Sequence, residues 1–249
     1  GGGKGNGKYF IKDLNIRNTQ LGGSVYFTGT YRYFVALRFE ATFGQVKASD
    51  NVLKNISSSS PKRYERNLSF KSSIDEIMLV AEIHPLFFKH FEKDQKLPRL
   101  SPYLLGGVGF FQFNPKAKVH GDWVELQPLS TEGEGFSEYP GRKPYKLKQL
   151  NVPFGGGIKY KISPIFSAGV ECVYRLLSTD YLDDVSTNYI DKEVFSNHFQ
   201  DNKLTDALLL HDRKYEIDPS LMAAANEQRG NPNKKDSYFT INFKLGFLL

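Results

Sequence analysis

Residue types able to do chemistry are few in this chain and poorly placed for it. Its five histidines, His84, His90, His120, His198 and His211, are scattered. None falls into HExxH or another paired metal-ligand spacing. Ser167 and the other serines lack the setting of a nucleophile elbow. The glycine runs Gly1–Gly3 and Gly155–Gly157 are not followed by the Lys-Ser or Lys-Thr pair of a phosphate loop. Asp180, Asp183 and Asp184, in TDYLDDVS, come nearest to a site, because clustered carboxylates are calcium ligands in principle. The twelve-residue calcium-loop pattern and its glycine are missing, so turn capping and pairing with basic loops is the simpler role. Trp123, the only tryptophan, falls beside Asp122 in what reads as a long loop, where packing within the loop is the favoured role. Together Trp123, Asp180, Asp183 and Asp184 form the candidate loop-side partner site. No catalytic residue, cofactor or metal is expected.

The charges that do carry a pattern alternate with apolar residues. Successive side chains of a strand point to opposite faces, and seven segments alternate in that way. They are Leu21–Thr28, Tyr33–Gly44, Ser73–His84, Pro102–Phe113, Leu150–Lys161, Phe166–Arg175 and Tyr238–Leu249. In the last, Phe239, Ile241, Phe243, Leu245, Phe247 and Leu249 share one face, and Lys244 lies on the other. Such a strand suits a position between lipid and a polar lumen, where a cation on the lipid face costs about 2–4 kcal/mol. By parity Arg38, Glu40, Glu76, Glu82, Lys159, Glu171, Arg175 and Lys244 all point into the lumen. Four acids and four bases neutralise one another there. An eight-stranded barrel has a bore that side chains fill, so the expectation is a plugged barrel rather than a pore. Gly106, Gly107 and Gly109 indicate tight curvature or close packing.

Connection lengths follow the same plan. Tyr31–Arg32 and Ser163–Pro164 are tight turns, and Pro85–Pro98 is a medium link. Val46–Leu68, Asn114–Gln149 and Leu176–Asp236 are long. Short turns alternating with long loops characterise membrane barrels. Within the long loops, Asp191–His211 and Pro219–Gln228 read as short helices. The fold class is therefore all-β: a transmembrane antiparallel up-and-down β-barrel of about eight strands, occupying residues 1–249 as one domain, with long, partly helical loops on one side. Single-chain bacterial barrels have even strand counts. An eighth, N-terminal strand, short or incomplete, is accordingly expected around Gly1–Gly7, beside the last strand.

Composition sets the remaining bounds. The chain has 249 residues, a net charge of +6 and one cysteine, Cys172. No apolar run approaches the roughly 18–20 residues of a membrane helix. One cysteine excludes an internal disulfide, and its neighbours predict a buried, inert thiol. The lysines and arginines are scattered without a dense stripe, so nucleic acid is not an expected partner. The opening GGGKGNGKYF has no signal-peptide pattern, as in both a mature exported protein and a cytosolic one.

Several segments occur together in a fixed order: RNLSFKSSIDEI (66–77), PYLLGGVGFFQFNPKAK (102–118), DWVELQPLSTEGEG (122–135), YPGRKPYKL (139–147), VPFGGGIKYKIS (152–163) and TDYLDDVSTNY (179–189). The set, covering about residues 33–189, resembles a Bacteroidota family of outer-membrane barrels that includes PorG of the type IX secretion system. The resemblance implies a non-catalytic integral protein of the cell outer membrane. It would be in contact with outer-membrane lipids and associated with a periplasmic ring of a PorK-like lipoprotein and a PorN-like protein, anchoring the secretion and gliding machinery. Phe87, Phe88, Lys89, His90 and Phe91, on the short-turn side, are the candidate periplasmic contact. The alternative is a stand-alone barrel that binds an external ligand or partner through its long loops. A third reading, a soluble calycin-type carrier, turns the apolar face inward and exposes the eight charges.

Overall fold

The computed structural model describes residues 20–50, 65–88 and 97–247. Its core is an antiparallel, strongly curled sheet of eight strands. These are β1 (Gly23–Tyr31), β2 (Val35–Ser49), β3 (Ser69–Ile83), β4 (Leu100–Val119), β5 (Asp122–Glu125), β6 (Lys148–Lys161), β7 (Phe166–Leu177) and β8 (Ser237–Phe247). Long strands pair in sequence order, and short β5 folds back on the end of β4. The connections after β1, β3 and β6 define a turn end. Those after β2, β4/β5 and β7 define a loop end. The expected Gly1–Gly7 strand lies outside the described residues.

Alternation fixes the faces. On β2, Ala36, Arg38 and Glu40 are buried, whereas Leu37 and Phe39 are exposed. On β8, Lys244 is buried and Ile241, Phe243, Leu245 and Phe247 are exposed. The sheet thus wraps its charges inside and shows its apolar residues outside, the reverse of the orientation a soluble carrier requires. Cys172 shares the outer face and is exposed, which corrects the expected burial: an apolar neighbourhood on this sheet means the outside.

Strands β2, β3 and β4 run well past the apolar band toward the loop end, and there the alternation inverts. Ile77, Leu79 and Ile83 of β3 face outward. Farther along the same strand, Asp75 and Ser73 are the exposed residues and Ile74 is buried. On β4, outward Leu104, Val108 and Phe110 give way to exposed Gln112 over buried Phe111 and Phe113. One strand therefore carries two opposite amphipathic patterns in series.

Two of the three β4 glycines admit close neighbours. A side chain at Gly107 would collide with the Leu79 carbonyl, and one at Gly109 with the Asn151 amide. Gly106 faces open space. The Asn114–Gln149 segment, expected to be a long loop, is partly strand. Asn114–Val119 continues β4, and Asp122–Glu125 is β5, which places Trp123 on a strand. The hairpin closes through His120 (φ 48°) and Gly121 (φ 103°), a two-residue turn of the kind whose twist matches paired strands.

Two α-helices lie at the loop end: α1 (Phe195–His198) and α2 (Asp201–His211). They form a cap with the 127–147 and 178–236 excursions. Leu126, Leu129, Phe136, Ile190, Phe195, Ala207 and Leu210 make its apolar core, against Ala117 of β4. Residues 219–228 form turns instead of the expected helix. Carboxylates take the backbone donors there: Asp212 accepts from the Ala223 amide and Glu227 from the Ala224 amide.

Candidate functional site

The eight pattern-bearing charges converge on the concave face and divide into two nodes. Arg38 is the hub of the larger one, near the turn end. Its Nη1 lies 2.8 Å from both Glu82 and Glu171, and its Nε is 3.2 Å from Glu40. Lys244 Nζ approaches Glu40 at 2.7 Å and Glu171 at 3.4 Å. Lys159, about one-third exposed, lies 3.7 Å from Glu82. Three bases therefore face three acids. Tyr103 donates its hydroxyl to Glu171 at 2.8 Å, and His84 bridges Glu82 and Ser101. In the smaller node, Arg175 Nε contacts both oxygens of Glu76 at 2.7 and 2.9 Å. Asn151 donates to Glu76, and Arg175 also donates to Thr240.

Between and above these nodes the bore is filled with apolar side chains. Met78, Val80, Tyr103, Leu105 and Val173 form one cluster. Ile74, Phe111, Phe113, Tyr145, Leu177 and Leu182 form another toward the cap. A buried charge without a partner is strongly destabilising. One-to-one pairing and added hydrogen bonds make this polar interior tolerable. Ser101, His84 and Glu82 form a hydrogen-bonded chain buried inside this network, and no group of three or more His, Cys, Asp or Glu among the described residues could hold a metal ion.

The wall has a gap. Strands β1 and β8 both run from the loop end to the turn end and form no ladder with each other among the described residues. Side chains bridge them instead: Tyr26 donates to the Leu245 carbonyl at 2.9 Å, and Lys244 sits 4.5 Å above the Tyr26 ring. Thr28 Oγ1, Arg38 Nη2, Glu40 Oε1 and Thr42 Oγ1 have no hydrogen-bond partner among the described residues. All four belong to β1 and β2, beside the gap.

The cap is organised around three buried acids, of which sequence reasoning singled out Asp184 but not Glu132 or Glu134. Glu132 accepts from the Ser186 and Thr187 amides, the Thr187 hydroxyl and Arg229. Asp184 accepts from Thr131 at 2.5 Å and Tyr145 at 2.6 Å. Glu134 accepts from the Glu132 amide, and its second oxygen has no partner among the described residues. Burial, then repulsion from Asp184 and Glu132, pushes the Glu134 carboxyl up to about 8. Burial lifts Asp184 to about 7 against the pull of Arg229. Glu132 and Glu134 lie about fifty residues before Asp184 and nearly a hundred before Arg229, so only tertiary contact gathers them.

The loop-side group of Trp123, Asp180, Asp183 and Asp184 is not assembled as one surface. Asp180 accepts from the Ser186 hydroxyl, Asp183 from the Val185 amide, and Asp184 lies wholly inside. They hold the cap together, because their chain reverses between β7 and the helices and its amides need local acceptors. Trp123 stands on the outer wall, its ring 4.6 Å from Lys71 Nζ. At the turn end, Phe87 and Phe88 fall in a short 3-10 turn, Pro85–Phe88. Phe88 is exposed and Phe87 packs near Tyr33 and His84. Lys89, His90 and Phe91 lie outside the described residues.

Compared with known proteins, the chain matches no protein-family model, no curated protein and no solved structure. Its functional reading therefore rests on its own residues.

Proposed function

We propose that the chain is an outer-membrane β-barrel with a filled bore, acting as a non-catalytic anchor for the type IX protein secretion and gliding machinery and docking a periplasmic ring. The inversion of strand alternation carries the membrane part of this reading. Apolar residues outside and charges inside suit a lipid-facing wall. The switch to polar outside and apolar inside on β2, β3 and β4 is what those strands need where they leave lipid for water. Soluble monomers rarely leave so broad an apolar surface uncovered.

A bore closed by Arg38, Arg175 and their acids cannot pass a polypeptide, so a part in secretion is that of scaffold. The ordered segments that resemble the PorG-containing family support the secretion part, with PorK-like and PorN-like ring components as partners. The turn end, where Phe88 is exposed, would face them. Affinity purification from an outer-membrane fraction tests this. Ring or secretion components should copurify, and their absence would sink the anchor role while leaving the barrel reading intact.

A further inference from the structure

Lysines that look scattered in the sequence are gathered by strand register on the outer wall. Lys47 of β2 stands opposite Lys71 of β3, and Lys71 stands opposite Lys116 of β4. Three like charges thus form a row across three adjacent strands. Lys118 of β4, opposite Trp123, adds a fourth just beyond it. Lys148 of β6 lies opposite Gln112, four residues nearer the apolar band than Lys116. All occupy the outward face, on the loop side of the band.

Like charges placed directly opposite on a sheet destabilise it. Compensation on this face is sparse. Lys116 is paired with Glu125 at 2.9 Å, and Lys71 rests on the Trp123 ring. The side chains of Lys47, Lys118 and Lys148 have neither ion pair nor hydrogen bond among the described residues. The other acid on this face among the described residues, Asp75, sits opposite Phe43 and Gln112 at the edge of the band. The row begins four residues past Phe43, on the order of 10 Å once strand rise and tilt are counted. Lysine stems can reach back across that distance toward an interface. The lone tryptophan at the same level has the amphipathic ring favoured at a bilayer boundary.

We infer that Lys47, Lys71 and Lys116, flanked by Lys118 and Lys148, form a binding site for the phosphate groups of anionic lipid headgroups in the outward-facing leaflet. Trp123 holds Lys71 in place and lies at the same depth. This rests on the membrane reading above. Phosphate supplies the counter-charge that the row lacks, and a headgroup is the anion that continuity with the apolar band puts there.

Bilayer reconstitution followed by native mass spectrometry tests the site. The full chain is inserted into neutral phosphatidylcholine nanodiscs, with and without a diphosphorylated lipid A, and bound lipid is counted. Retention of lipid A over phosphatidylcholine is expected, weakening roughly fivefold for each lysine lost and about a hundredfold in the triple variant K47Q/K71Q/K116Q. The double variant K47Q/K118Q removes only side chains without partners. It guards against misfolding and should lose roughly twenty-five-fold by the same scale. Equal lipid A retention by wild type and the folded double variant overturns the site and leaves the barrel reading standing. Failure of the wild type to enter any bilayer overturns both.

Discussion

The banded part of the sheet and the raised wall beneath the cap are made from the same strands, yet they solve opposite problems. In the band, β3 turns Ile77, Leu79 and Ile83 outward and buries Glu76 and Glu82. A few residues earlier it turns Ser73 and Asp75 outward and buries Ile74. Backbone pairing is continuous across the change, so the ladder does not care which face is apolar. The surroundings decide. The band keeps its charges by pairing them in a bore, while the wall keeps its hydrophobes by covering them with a cap.

The largest test of this contrast is electrostatic. Arg38→Ala leaves Glu40, Glu82 and Glu171 without their shared hub and should destabilise the curled sheet by about 3–5 kcal/mol, measured by denaturant unfolding in detergent. Replacing hub and partner together, Arg38→Met with Glu82→Gln, should cost markedly less. If the single and double variants lose equally, the bore is not a balanced network. A second comparison uses one strand in two settings. Leu79→Arg, in the band, should cost about 2–4 kcal/mol in a bilayer. Ser73→Arg, above the inversion, should stay within about 0.5 kcal/mol. Equal costs would remove the boundary between the two regions.

The cap responds to pH in a direction the buried acids fix. Glu134 is raised from an ordinary 4.5 to about 8, and Asp184 from 3.8 to about 7. A raised folded-state value means that stability is fully present below the unfolded value and lost as pH rises through the folded one. The cap should therefore weaken between about pH 4 and pH 8. Limited proteolysis of residues 178–236 should be faster at high pH, and Glu134→Gln should flatten the profile. The strands of the band should show no matching change in protection. The smallest expected effect is at the gap: Tyr26→Phe removes the bond to the Leu245 carbonyl and should cost about 1 kcal/mol, read as faster hydrogen exchange of β8 alone.

Much of the sheet was legible in the sequence. Period-two alternation located every long described strand, and parity put all eight charges on the concave face. Parity failed to extend β4, because above the inversion the outward residues Asn114, Lys116 and Lys118 read as loop when the apolar-outward pattern is assumed. Trp123 was assigned to a loop for the same reason. The helix expected at 219–228 was overruled by side-chain carboxylates that bind its amides.

By itself the sequence determined which residues share a face, because side-chain direction in a strand depends only on parity. It also bounded the chemistry, since no spacing of its histidines, serines or glycines forms a catalytic or phosphate-binding motif. Tertiary structure alone decided which charges become partners and which become neighbours. Register set Arg38 between Glu82 and Glu171, folding of distant loops buried Glu132, Glu134 and Asp184 around Arg229, and three strands brought Lys47, Lys71 and Lys116 into one row. Coulomb interactions depend on distance in space, and distance between strands is fixed by pairing rather than by position along the chain.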